Sequence, residues 1–229
     1  MEPVILALVI VVIVAVVSGL TLTVVLLFLR SASKRERERT RRLKSSATVL
    51  GWRFAEDVPL NYLPNLEYFA LFREGHSKEI KNLLYGETNR VKAALFDYIY
   101  VTGTGKHQEV HYQSVVYFEP RNLSIPFFSL RPEHILHKVI TAFGYQDIDF
   151  GNRPTFSSKY LLRGAEEQAI RNTFNDGLLA FYEANQGICT DGGGNQLFIF
   201  KYGYRMPPHE SQSFIDWASR LQNLFPRQF

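Results

Sequence analysis

One cysteine, Cys189, in 229 residues excludes an intramolecular disulfide, so the fold has no covalent staple and suits a reducing compartment. The residue itself reads as a small, partly buried hydrophobe. The chain also lacks repeats, low-complexity tracts and any Gly/Ser/Pro-rich linker, which argues against a second folded domain. Its serines form no nucleophile elbow, and Cys189 has no signature of a catalytic thiol around it. Nothing points to a cofactor.

What the chain does have is an uninterrupted apolar run from Val4 to Leu29. As a helix it would extend about 39 Å, enough to cross a hydrocarbon core of roughly 30 Å with some tilt. The chain opens Met1-Glu2-Pro3, without the basic start and short apolar core of a cleaved signal, so the run reads as a retained anchor. Pro3 fits the first helical turn, and Ser18 and Gly19 read as ordinary small residues of a membrane helix.

A basic stem follows at once: Arg30, Lys34, Arg35, Arg37, Arg39, Arg41, Arg42 and Lys44, set against only Glu36 and Glu38. The positive-inside bias places whatever follows in the cytoplasm. Of the net charge of +4, the stem supplies +6 and Glu2 −1, leaving −1 for the remainder. The domain is therefore not a general nucleic-acid-binding surface. These eight cations are candidates for lipid headgroup contact, or act only to set topology and solubilise a helical extension. The organisation expected is an anchor over 1–29, a helical stem over 30–50 and a cytoplasmic domain over 51–229.

The domain is long enough for one core. A helix end at Gly51 should pass into a short strand, and Asn61–Leu71 reads as a short helix carrying Leu66, Phe69 and Leu71. Glu79–Tyr85, Arg90–Val101, Glu109–Glu119 and Asn122–Leu130 carry the β-branched and aromatic enrichment of strands, with a hairpin at Thr102–His107. Both faces of 91–101 are apolar, which predicts a central strand covered on each side. Further elements are a helix over Pro132–Phe143, a short strand at Lys159–Leu162, helices near Ala165–Phe174 and Asp176–Ala184, and strands at Ile188–Thr190 and Gln196–Lys201. The segment Asp191-Gly-Gly-Gly-Asn195 reads as the turn between those strands. A closing helix after Pro207–Pro208 carries Phe214, Trp217, Ala218, Leu221, Leu224 and Phe225 on one face. The order predicts an α+β fold with a mainly antiparallel sheet packed against helices.

Few residues suggest chemistry. Asp97 shares strand parity with Leu95 and Ile99, and a carboxylate in an apolar run needs a donor or a cation, for which Arg131 and Arg163 are candidates. It is a structural ion pair, a rim residue or a catalytic acid. His107 and His111 are too far apart along a strand to share a metal, and Glu133-His134-x-x-His137 does not have the zincin order. Gly103-Thr-Gly-Lys106 lacks the full phosphate-loop pattern, and Asp147-Ile-Asp149 lacks a third ligand. The tract Val115–Phe128 holds more aromatic surface than a thin sheet readily buries. Tyr117, Phe118, Phe127 and Phe128 are thus candidates for a partner surface, or for core covered by helices.

With Leu50-Gly-Trp52, Phe96-Asp-Tyr-Ile-Tyr100, Asp147-Ile-Asp-Phe150 and Tyr160-Leu-Leu-Arg-Gly164, the chain resembles a family of uncharacterised bacterial single-span membrane proteins. The resemblance implies a bacterial envelope setting and supplies no reaction or substrate. The expectation is a noncatalytic interaction or assembly module at an inner or other internal membrane, with the bilayer and a membrane protein or complex as partners. The alternatives are a membrane-bound enzyme acting on a lipid or small polar substrate, with Asp97, an arginine and His134 or His137 in one pocket, and an anionic-lipid sensor.

Overall fold

The computed structural model describes residues 2–135 and 146–227. It divides into two compact units, Met1–Arg42 and Leu43–Phe229. One helix, α1 (Glu2–Leu50), supplies all of the first and enters the second. Its apolar side chains from Ile13 to Leu29 are exposed, and it is long and apolar enough to cross a membrane. Within the stem Glu38 pairs with Arg41 and Arg42 at 2.8 and 2.7 Å. The stem expected over 30–50 thus changes character at Leu43, because Leu43 and Ala47 are buried in the core of the second unit.

That unit is α+β, with one eight-stranded, wholly antiparallel sheet. The strands are β1 (Arg53–Val58), β2 (His76–Thr88), β3 (Val91–Thr102), β4 (Glu109–Glu119), β5 (Ile125–Pro132), β6 (Tyr160–Arg163), β7 (Ile188–Gly194) and β8 (Gln196–Lys201). Their spatial order is β1-β2-β3-β4-β8-β7-β5-β6. Gly51, at φ 69°, makes the left-handed stop between α1 and β1.

The alternation along β3 shows why both faces are buried. Val91, Ala93 and Leu95 join a core with α1 and the helices α4 (Glu167–Thr173), α5 (Asp176–Ala184) and α6 (Ser211–Gln222). Ala94, Phe96, Tyr98 and Tyr100 join a second core on the other face. The second is covered by residues 60–73, within which the sequence predicts one helix over Asn61–Leu71. The chain instead makes 3-10 turns at Leu60–Tyr62 and Leu66–Tyr68, then a single turn of helix, α2 (Ala70–Arg73). Pro64 cannot donate within a helix, and Asn65 sits in the left-handed region at φ 62°, so the helix is broken between the two turns. A further single turn, α3 (Pro154–Ser157), precedes β6.

Two other expectations change. Pro132 ends β5 and is followed by a 3-10 turn at Glu133–Ile135, and the rest of the helix expected over Pro132–Phe143 lies outside the described residues. The glycine run is strand, not turn, since β7 continues through Asp191, Gly192 and Gly193 and only Gly194 takes a positive φ, 58°. Gly192 and Gly193 form a flat floor on which the rings of Phe128 and Phe127 lie, and a Cβ on either glycine would overlap its ring. Replacing Gly192 with Ala should therefore cost about 1–3 kcal/mol, because Phe128 is buried and has no room to withdraw. Chemical denaturation of both proteins checks this, and a shift under 0.5 kcal/mol, roughly that of a surface change, would refute it.

Candidate functional site

The domain holds two polar inlays, one on each face of the sheet. On the face packed by the helices, Asp97 of β3 is 2% exposed. It accepts hydrogen bonds from Asn82 Nδ2 and Ser114 Oγ, both at 3.0 Å, and pairs with Arg205 at 3.4 Å. Asn82 reaches it because β2 bulges there, with Asn82 at φ 53°. The Ser114 hydroxyl also accepts the Met206 N–H at 3.1 Å, and Ser114 N–H donates to Tyr204 O at 2.9 Å. The inlay thereby ties residues 204–206, which lead from β8 towards α6, to β4.

On the opposite face Arg131 and Asp191 form a buried bidentate pair at 2.6 and 3.0 Å. The carboxylate also accepts the Leu71 N–H at 2.7 Å, fastening α2 over the sheet, and the guanidinium lies 4.9 Å from the centre of the Phe200 ring. Burial works against the charge of Arg131, but Asp191 outweighs it and holds the guanidinium protonated. Beside them Tyr100 donates to Glu74 Oε2 at 3.1 Å. Burial pushes the Glu74 carboxyl above its ordinary range, with Arg131 opposing and Asp191 adding to the shift.

The structure therefore re-pairs the residues expected to form one buried site. Asp97 is buried as its parity suggests, but its cation is Arg205, and neither Arg131 nor Arg163 bonds to it. Arg131 points to the other face because it shares parity with Ser129, which lies opposite Asp191. Arg163 is half-buried on β6, with its Nε unpaired among the described residues. Asp191 and Arg205 were missed, one hidden in a glycine run and the other in a loop. Asp147 accepts the Leu162 N–H at 2.8 Å, as a strand-edge cap. Among the described residues no three His, Cys, Asp or Glu side chains cluster as for a metal. Cys189 is fully buried, and burial pushes its thiol up to about 12.

The expected partner surface also contracts. Tyr117, Phe118 and Phe128 are buried, because β4 and β5 lie inside a sheet with a core on each face. Phe127 is 42% exposed over Gly193, and its ring centre lies 5.7 Å from that of Tyr68, which is 55% exposed. These two rings form an exposed aromatic pair. Two clefts open in the fold. One, of about 370 Å³, is lined mainly by Leu60, Leu63, Pro64, Leu66 and Phe72, with Lys78 donating to Phe72 O at 2.7 Å. The other, of about 430 Å³, is bordered by Glu133, His134, Ser158 and Tyr160. Its lining includes neither Asp97 nor an arginine, and His137 lies outside the described residues.

The raised Glu74 carboxyl gives a pH dependence with a definite sign. As pH rises the unfolded chain loses this proton first, so the folded state binds more protons and stability falls. Glu74→Gln keeps an acceptor for Tyr100 and removes the charge. Its Tm should exceed that of the parent by a few degrees at pH 7–8 and converge with it below about pH 3.5, where the carboxyl is largely protonated in both states. Thermal melts across that range check this, and a constant gap would reject the assignment.

No family model matches the sequence, and no curated protein is similar to it. A solved structure, that of the mycobacterial trehalose monomycolate transport factor A, TtfA, is similar with a TM-score of 0.57 and 12% identity. The match covers 84% of this chain and 99% of the other, and at that identity it shows a shared fold.

Proposed function

We propose that the chain is a noncatalytic interaction or assembly module anchored in a bacterial inner or other internal membrane by α1, with its domain on the cytoplasmic side. The observation that carries this reading is the helix: its most apolar stretch has a mean hydropathy of 2.3 and is 0% buried. Such a surface needs a bilayer or an equivalent apolar partner. The basic stem supports the orientation by the positive-inside bias. The neighbouring fold belongs to a protein titled a transport factor, which is compatible with a transport or assembly role at a membrane. The acids inside the domain are engaged with Asn82, Ser114, Arg205, Arg131 and Leu71, which supports clamps over catalytic groups.

The contact surface proposed is the Tyr68–Phe127 pair, since rigid aromatic side chains give large contact area at small entropic cost. Crosslinking in native membranes should recover stoichiometric neighbours with the full-length chain. Tyr68→Ala with Phe127→Ala should lose them while Tm changes by no more than a few degrees. Unchanged recovery would sink the patch. Orientation is read separately with Lys106→Cys, an exposed position in a chain whose own cysteine is buried. Labelling of intact cells by an impermeant maleimide would reverse the proposed side.

A further inference from the structure

We propose that the cleft framed by the two 3-10 turns and the start of β2 is a binding site for a single-chain amphiphile of one negative charge, an alkyl carboxylate, with its chain along the leucines and its head on Lys78. The site exists because residues 60–72 do not make one helix. The break at Pro64 and Asn65 sets the turns Leu60–Tyr62 and Leu66–Tyr68 apart and leaves about 370 Å³ open between them and β2. Leu63, Leu66 and Phe72 of its lining are buried, and Leu60 stands at the exposed edge. Lys78 shares strand parity with Ile80, which packs in the second core, so its stem lies on that face and borders the cleft. Its Nζ donates to Phe72 O at 2.7 Å, a neutral acceptor that takes one of three N–H groups. Among the described residues no carboxylate pairs with Lys78, and Glu74, which acts on it from a distance, accepts from Tyr100. Burial draws the ammonium below its ordinary range, as expected of a cation short of a counter-charge.

The lining selects the ligand. Among the described residues it holds one cation, Lys78, and one acid, Glu67, which is exposed, so it balances a single negative charge. A phosphomonoester dianion would leave its second charge uncompensated. A peptide segment would bring amide groups, for which walls made mainly of leucine, proline and phenylalanine offer few partners. An alkyl chain asks only for apolar surface. At about 30 Å³ for each water-sized group the cleft holds about twelve, which suits a chain of medium length and not a two-chain lipid. The carboxylate head then accepts the remaining N–H groups of Lys78 in charge-assisted hydrogen bonds.

The test uses the full-length protein in phosphatidylcholine liposomes and three photoreactive probes: decanoate and decanol carrying the same diazirine near the chain end, and a phosphatidylglycerol with that group on one acyl chain. After irradiation, labelled peptides are identified by mass spectrometry. Labelling of the apolar run of α1 measures how much probe the bilayer holds, so labelling of residues 60–72 is taken relative to it. That ratio should be at least about fivefold higher for decanoate than for decanol, the scale of one charge-assisted hydrogen bond. Lys78→Met keeps the length of the side chain and removes its charge, and should bring decanoate down to the level of decanol while Tm changes by no more than a few degrees. Equal ratios for decanoate and decanol in the parent chain overturn the inference whether or not the variant folds. An unchanged preference in a folded Lys78→Met overturns it too. A higher ratio for the phosphatidylglycerol probe than for decanoate would assign the cleft to a bilayer lipid and likewise remove the proposed ligand.

Discussion

Asp191→Ala should destabilise the domain by about 3–5 kcal/mol, because it strands the guanidinium of Arg131 in a site where that side chain is 7% exposed. For a domain of this size the loss corresponds to a fall in Tm on the order of 10 °C. Among the described residues the guanidinium pairs with no carboxylate other than Asp191, and Glu74 accepts from Tyr100. A second variant separates the value of the pair from the cost of breaking it. Replacing both partners, Arg131→Met with Asp191→Leu, removes the two desolvated charges, takes a donor from the Leu130 and Thr190 carbonyls, and strands the Leu71 N–H that now bonds Asp191. That buried amide costs about 1–3 kcal/mol, so the double variant should be more stable than Asp191→Ala yet below the parent. Equilibrium denaturation of the three proteins measures this. A single variant within 1 kcal/mol of the parent would mean that water or a rearranged acid reaches Arg131, and the clamp would be lost as an explanation of how α2 is held.

What the sequence made legible follows from how local each signal is. The boundaries of β4 and of α5 are readable because period and end signals lie in the element itself. Asn175, whose side chain accepts the Leu178 N–H at 2.9 Å, is a local start signal of that kind for α5. The side of the strand on which Asp97 lies was also legible, since parity places it with Leu95, but its burial was left open against a rim position. Its partner was not legible, because Arg205 lies 108 residues away in a segment with no period. Asp191 was hidden for a different reason. A run of three glycines reads as a turn unless aromatic rings from another strand need a surface without Cβ atoms, and that need arises only once β5 pairs with β7. The same pairing explains the partner surface, where Phe127 and Phe128 are neighbours in sequence and lie over Gly193 and Gly192, but only the Phe127 ring is exposed. The arginine of the second inlay was identified, but its acid was assigned from the wrong face.

Removing residues 1–42 should release a folded domain from the membrane, whereas removing residues 1–50 should cripple it. The difference lies in the last two turns of α1. Leu43 is 2% exposed and Ala47 1%, and both belong to the core on the helix-covered face. The Trp52 N–H donates to Ala47 O at 2.8 Å, and Ser46 Oγ donates to Pro208 O at 3.0 Å, so the turns are also tied by polar contacts to β1's entry and to the start of α6. Burying a leucine contributes about 1.5–3 kcal/mol of transfer free energy, and the cavity left by its loss adds to that. Leu43→Ala alone should therefore cost about 2–5 kcal/mol, and the longer truncation more, a large fraction of the stability of an ordinary domain. Both truncated chains lack the apolar run, so membrane extraction alone does not distinguish them; the melting transition does. Two equally stable truncations would place the domain boundary beyond Leu50 and make the α1 turns a passive extension. A stable shorter truncation beside an unfolded longer one would show that the helix long and apolar enough to cross a membrane also completes the core.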